Sequence, residues 1–325
     1  MTRKSARQYS TDDKRGYTGN TSKGLKPPVG MDITTDALYP EITLVDITGS
    51  MRWMPRLFLE KLATLYEESN AVLHGYGPDE MKTKAGQVPD DLASSIIAVG
   101  DAHCDRYPLQ VANFERRAGL ITPINNIYPE GGGNGMESYD LAAYYLLNHC
   151  ETPKALIKPI LIIAGDEGFY RKVNNSKVHS YIGDDLADEI DSRAMFKQLA
   201  EKFNTYILRP EVGSYGKDTY GLIHEQWESV LGKERTIRMD DPEEIVNKMI
   251  VLAGLSSDHL DSAWKMLKRR EEDWELESAL RGMHPLLKSL GEDPDKLLKS
   301  VDERISTATG AHAARKKPAT TRTKK

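Results

Sequence analysis

Ile42-Thr43-Leu44-Val45-Asp46-Ile47-Thr48-Gly49-Ser50-Met51 is an apolar β-type run that stops at a carboxylate, followed at alternate positions by two hydroxyls. Ile42, Thr43, Leu44 and Val45 form strands readily and show no clean polar alternation, the pattern of a strand buried on both faces of a parallel sheet. Such a strand carries Asp46 at its carboxyl end. In open α/β sheets that edge, at the crevice where the strand order reverses, is where ligands bind. Asp46, Thr48 and Ser50 then offer three hard oxygens on a tight loop around Gly49, the ligand chemistry of Mg²⁺, Mn²⁺ or Ca²⁺ rather than of zinc.

The pattern recurs in Lys158-Pro159-Ile160-Leu161-Ile162-Ile163-Ala164-Gly165-Asp166-Glu167-Gly168, again a buried strand ending at a carboxylate. A lone Asp after a strand is usually a helix cap or turn residue. Its pairing with Asp46 points instead to one shared site. Between the two lies Gly131-Gly132-Gly133-Asn134-Gly135-Met136-Glu137-Ser138, leading into Leu141, Tyr144, Tyr145 and Leu147 at helical spacing. Glycines permit positive φ and close backbone approach, so this loop is shaped to deliver a helix N-terminus to something. It is not the dinucleotide fingerprint, whose third glycine position falls on Met136, and the chain has no Gly-Lys-Ser/Thr phosphate loop.

The remaining elements are read in chain order. Pro55 opens a helix of about three turns with Phe58, Leu62, Leu65 and Tyr66 on its apolar stripe. Ala71–Leu73 and Ile96–Val99 read as strands, as do Tyr206–Leu208 and Thr236–Met239. Asp241-Pro242-Glu243-Glu244 reads as an N-cap, a proline at the first helical position and a capping-box glutamate, for a helix ending near Leu255. His103, Cys104 and Asp105 stand in a row after the second strand. Neighbouring side chains on an extended chain point to opposite sides, so these three cannot converge on one atom, and the segment reads as an edge-of-site loop.

With 325 residues the chain can bury a full core. A net charge of −5 gives no reason to expect nucleic acid as the main partner. Two cysteines, Cys104 and Cys150, fit a reducing compartment. No apolar run follows the first residues and none is long enough to span a membrane, so a cytoplasmic protein is expected. Four segments are expected: a flexible arm over 1–37, an α/β domain over 38–255, an α-helical extension over 256–310 and a basic tail over 311–325. The tail's only electrostatic role would be a weak contact with nucleic acid or an acidic protein.

The order strand-Asp-x-Thr-Gly-Ser, glycine loop with helix, strand-Gly-Asp-Glu resembles the von Willebrand factor type A (vWA) domain. The resemblance covers about residues 38 to 255 and implies a doubly wound, mostly parallel sheet flanked by helices, here with a C-terminal α-helical extension. It also implies a metal-ion-dependent adhesion site. Asp46, Thr48 and Ser50 match the family's first motif, and Asp166 its Asp after a central strand. The family's second motif places a threonine in the glycine loop, where this chain has Gly135. Asn134 or Glu137 would then supply the missing oxygen.

The function implied is a protein-binding module in which Mg²⁺, or Mn²⁺ or Ca²⁺, accepts a carboxylate from a partner protein. Intracellular relatives work in larger assemblies, some beside AAA ATPases. The alternative reading is a Mg²⁺-dependent phosphoryl-transfer enzyme. Asp46-Ile47-Thr48-Gly49-Ser50 is similar to the Asp-Lys-Thr-Gly-Thr of phosphorylated-aspartate ATPases and their haloacid-dehalogenase relatives, which would make Asp46 a nucleophile. Against it, Ile47 follows the aspartate, and Gly168, Phe169 and Tyr170 supply no second acidic residue downstream of Asp166 and Glu167.

Overall fold

The computed structural model describes residues 25–84, 87–131, 135–211, 217–269, 277 and 279–293. Six strands form its central sheet: β1 (Tyr39–Asp46), β2 (Leu92–Val99), β3 (Leu109–Val111), β4 (Ile160–Ala164), β5 (Asn204–Pro210) and β6 (Thr236–Met239). They lie in the order β3-β2-β1-β4-β5-β6. All neighbours run parallel except β3, which is antiparallel to β2 at the edge. This is the doubly wound order, and its direction reverses between β1 and β4. The carboxyl ends of those two strands carry Asp46 and Asp166.

Burial on both faces explains why β1 shows no polar alternation. Val45 belongs to one core with Ile162, Ala164 and Leu208, while Ile42 and Leu44 belong to the other with Ile97, Leu161 and Ile163. Helices α1 (Met54–Leu73), α5 (Glu244–Ser256), α6 (Leu260–Lys268) and α7 (His284–Ser289) supply the first core. Helices α2 (Tyr139–His149), α3 (Ser192–Lys202) and α4 (Lys217–Leu231) supply the second.

Helix α1 runs for 20 residues, well beyond the three turns expected, and absorbs Ala71–Leu73, which are not a strand. Three apolar residues in a row fit the buried end of a helix as well as a strand. The helix ends where Gly75 takes φ +73. There the Tyr76 amide donates to the Ala71 carbonyl and the Gly75 amide to the Val72 carbonyl, a Schellman closure.

Glu244 is also placed differently from its expected capping role. Asp241 Oδ1 accepts from the Glu243 amide at 2.9 Å. Glu244 is fully buried instead, 3.1 Å from Lys248 Nζ one turn on. Ala263, Trp264, Leu267, Leu280 and Leu287, from beyond residue 255, complete the same core as α1 and α5. At the other end Ile33–Thr34 pairs in parallel with Cys150–Glu151, and Tyr145 donates its hydroxyl to the Met31 carbonyl. Parts of the α-helical extension expected over 256–310, the basic tail and residues 1–24 lie outside the described residues. Among the described residues no helix is long and apolar enough to cross a membrane.

Candidate functional site

The chain leaves β1 through a turn that Asp46 itself organises. Its Oδ1 accepts from both the Thr48 amide at 2.9 Å and the Thr48 hydroxyl at 2.8 Å. A short aspartate favours this local closure after a strand. The turn presents Ser50 on a 3-10 turn over Gly49–Met51, and Ser50 Oγ donates to Asp166 Oδ2 at 2.7 Å. This side-chain hydrogen bond ties the loop after β1 to the loop after β4.

Gly131, the last described residue before the glycine run, meets this turn. The Gly131 carbonyl lies 3.6 Å from where a Cβ on Gly49 would stand. Gly135 takes φ +76, a backbone shape that a threonine would adopt only under strain. The chain then forms a short strand, Met136–Glu137, paired in parallel with Gly168–Phe169. That pairing carries Glu137 into the interior at 0% exposure. Neither of its carboxylate oxygens has a hydrogen-bond partner, and Asp166 Oδ1 has none. Thr48 is near enough to lower the proton affinity of Glu137, but its hydroxyl proton is directed at Asp46.

Two residues absent from the sequence-based set complete the surroundings. Tyr139, at the start of α2, donates its hydroxyl to Asp46 Oδ2 at 3.2 Å. It reaches that oxygen through the space over Gly165, where an added Cβ would fall 1.8 Å from Tyr139 Oη. Arg209, from β5, is fully buried and donates from Nη2 to the Asp166 carbonyl at 2.7 Å. Its guanidinium stacks on the Tyr220 ring at 4.3 Å.

The electrostatics follow from burial. Burial raises the Asp46 carboxyl well above the usual range and the nearby Asp166 adds to the rise, against the Thr48 hydrogen bonds. Burial, then Asp46 and Glu167, raise Glu137 far above an ordinary glutamate. Asp166 is pushed up to about 6 by burial, with the Ser50 hydrogen bond and Arg209 opposing. Carboxylates crowded into a low-dielectric interior resist ionisation unless a cation joins them.

The structure therefore brings Asp46, Thr48, Ser50, Asp166 and Glu137 to one end of the sheet, while Asn134 lies outside the described residues. Among the described residues no three His, Cys, Asp or Glu side chains stand in metal-holding geometry. The donors gathered here mix carboxylates with hydroxyls. An all-oxygen set with buried, donorless carboxylate oxygens fits a hard divalent cation.

As a nucleophile Asp46 is poorly placed. It is 0% exposed, and each of its oxygens accepts a hydrogen bond from the protein. The neighbouring Cys104 thiol donates to Asp101 Oδ2 at 3.1 Å and is pushed up to about 12, first by burial and then by Asp101. That rise favours the thiol over the nucleophilic thiolate.

No protein-family model matches the chain, and no curated protein does. Among solved structures it is similar to the pilus adhesin SpaC from Lactobacillus rhamnosus GG in its open conformation. The two are 10% identical over 73% of this chain and 31% of that one, with a TM-score of 0.42. It is also similar to proximal thread matrix protein 1 from the mussel byssus, at 10% identity over 69% and 48%, with a TM-score of 0.37. A third is an aerotolerance-related membrane protein from Bacteroides fragilis NCTC 9343 carrying multiple mutations to serines. It is 13% identical over 69% of this chain and 98% of that one, with a TM-score of 0.33. The chain spans about a third of the adhesin and about half of the thread protein. Likenesses at this level say nothing about activity.

Proposed function

We propose that this chain is a vWA-like protein-binding module whose contact with its partner depends on a divalent cation, Mg²⁺ or else Mn²⁺ or Ca²⁺. The observation that carries the reading is the buried carboxylate of Glu137, with no hydrogen-bond donor on either oxygen, beside Asp46, Thr48, Ser50 and Asp166 at the point where the strand order reverses. Thr48 and Ser50 would hold the cation by their hydroxyls, Asp46 and Asp166 directly or through water, and Glu137 by its free oxygens. The cation would neutralise the buried carboxylates and offer an open position to an oxygen of the partner.

Each supporting residue has a mechanical task. Ser50 locks the two loops together, Tyr139 holds Asp46 from behind, and Arg209 fixes the backbone at Asp166. Such supports set the precision with which a cation is gripped. The reading extends to a cytoplasmic assembly, of the kind that includes an AAA ATPase, as the setting for the contact. Isothermal titration with Mg²⁺ and Mn²⁺ tests it: saturable binding by the intact chain and none by Asp46→Ala is expected. Equal binding by the two proteins would sink the proposal.

A further inference from the structure

We infer that His149 is a pH-operated latch: its imidazolium rivets the turn at residues 28–32 to the loop at residues 182–184, and loss of its proton frees Asp32 and loosens that turn.

The geometry demands two protons on one ring. His149 ends α2, with Nδ1 2.6 Å from Asp32 Oδ1 and Nε2 2.8 Å from Asp184 Oδ2. A neutral imidazole has a single N–H, so both contacts are hydrogen bonds only when both nitrogens are protonated. The ring stacks on Tyr145 at 5.3 Å, and Tyr145 donates its hydroxyl to the Met31 carbonyl at 2.9 Å. Gly30, at φ +64, lets the Met31 amide return to the Pro28 carbonyl at 3.1 Å, while its own amide donates to the Ile182 carbonyl at 2.9 Å. Asp32 and Asp184 therefore come from the two segments that the Gly30 amide joins, and His149 stands between them.

The two contacts are unequal. Asp184 Oδ2 also accepts the Tyr144 hydroxyl at 2.7 Å, and the Asp184 side chain is 31% exposed against 73% for Asp32. A neutral ring keeps its one proton on Nε2 for the better-held Asp184. Its Nδ1 lone pair then faces a carboxylate oxygen at 2.6 Å, and two acceptors at that distance repel. Asp32 has water to turn to, so the turn is the side that lets go.

The end of α2 favours a cation, because helix carbonyls are left unpaired there. The other charged groups around it are engaged. Lys202 Nζ donates to the Leu146, Leu147 and Cys150 carbonyls, Lys154 pairs with Asp36, and His179 pairs with Asp185. Glu151, just past His149, is exposed. Burial opposes the charge on His149, but the hydrogen bonds to Asp184 and Asp32 outweigh it and hold the proton above the ordinary value of 6.5. The folded state thus binds this proton more tightly than the unfolded chain. The latch is fully closed below 6.5 and is lost as pH rises through the higher folded-state value.

The test is amide hydrogen exchange by NMR on the full chain, from about pH 5.5 to about pH 8.5, with rates corrected for intrinsic base catalysis. The protection of the Gly30 amide is expected to fall at least about tenfold over that range in wild type, while the Ile207 amide in β5 stays unchanged. The fall should track the titration of the His149 ring nitrogens. His149→Gln removes the titrating group and should abolish the pH dependence. Asp32→Asn should abolish it in a different way, by keeping the turn closed at high pH, because an amide N–H can donate to the neutral Nδ1. Constant Gly30 protection in wild type overturns the inference. So does the same fall in His149→Gln, or a ring that is already neutral at about pH 6. The Ile207 amide serves as the check that each variant is folded.

Discussion

Glu137 and Glu244 are both buried to 0% exposure, and the protein treats them in opposite ways. Glu244 has an internal cation, Lys248 Nζ at 3.1 Å, which also donates to the Arg281 carbonyl. Burial raises the Glu244 carboxyl and lowers the Lys248 amine, and in each it outweighs the partner's attraction. Such a pair adds little net stability and is costly to break. It anchors the first turn of α5 to the segment that leads into α7. Glu137 has no such anchor. Neither glutamate takes a hydrogen bond on its carboxylate among the described residues, but Glu244 is balanced within the chain by an ion pair and Glu137 is not.

The sharpest way to break this contrast is to make Glu244 resemble Glu137. Lys248→Met leaves Glu244 buried without its cation and is expected to cost about 3–5 kcal/mol, read as a lower midpoint in urea denaturation. The double variant Glu244→Met/Lys248→Met should recover most of that loss, because a hydrophobic pair replaces an ionic one. If Lys248→Met unfolds at the wild-type midpoint, buried carboxylates here do not need cations, and the case for a cation at Glu137 weakens with it.

Glu41, toward the amino end of β1, shows a third solution. It is 4% exposed, its Oε2 has no hydrogen-bond partner, and it lines a cavity of about 20 Å³ with Tyr66, Ser94 and Leu120. Burial alone pushes its carboxyl up to about 7, so protonation does what a cation does elsewhere. Its pKa in the folded protein is above the ordinary value of 4.5, so the folded state binds the proton more tightly. The stability it permits is fully present below pH 4.5 and is lost as pH rises through about 7, on the order of 3 kcal/mol in all. Glu41→Gln should flatten that fall between pH 5 and about pH 8, measured by denaturant titration at each pH. An unchanged slope would mean that Glu41 is already ionised in the folded protein.

These differences mark what the sequence could and could not show. The run Ile42–Val45 ending in Asp46, and its echo at Ile160–Asp166, placed two strands and their carboxylates together, because β-branched runs buried on both faces leave a plain pattern. Glu137 was legible as one of two candidates. Tyr139 and Gly165 were not, because their meeting depends on α2 crossing the end of β4 at a distance that no spacing along the chain reports. Arg209 reads on the chain as a charged residue before Pro210, and its burial against Tyr220 arises only in three dimensions. On the chain, the Asp241-Pro242-Glu243-Glu244 run fits a capping pattern that gives Glu244 a capping role. The partner four residues on becomes decisive only when both side chains are buried.

Tyr139 offers the finest test of the site, since it supports Asp46 with a neutral donor instead of a charge. Burial and the nearby Asp46 raise its hydroxyl well above the ordinary tyrosine range, so it remains a donor. Gly165→Ala should cost about 1–3 kcal/mol, because the new methyl would meet Tyr139 Oη at 1.8 Å and the ring is fully buried against Trp227. Tyr139→Phe removes that oxygen and a single hydrogen bond of 3.2 Å, and should cost about 1 kcal/mol. In the Tyr139→Phe background the alanine should then cost less than it does alone, although the ring carbon 3.1 Å from the same point keeps some of the crowding. The difference between the two costs, a double-mutant coupling read from urea midpoints, isolates the contact of the hydroxyl with the space over Gly165. Simple additivity would show that Gly165 serves the backbone turn after β4 and does not make room for Tyr139.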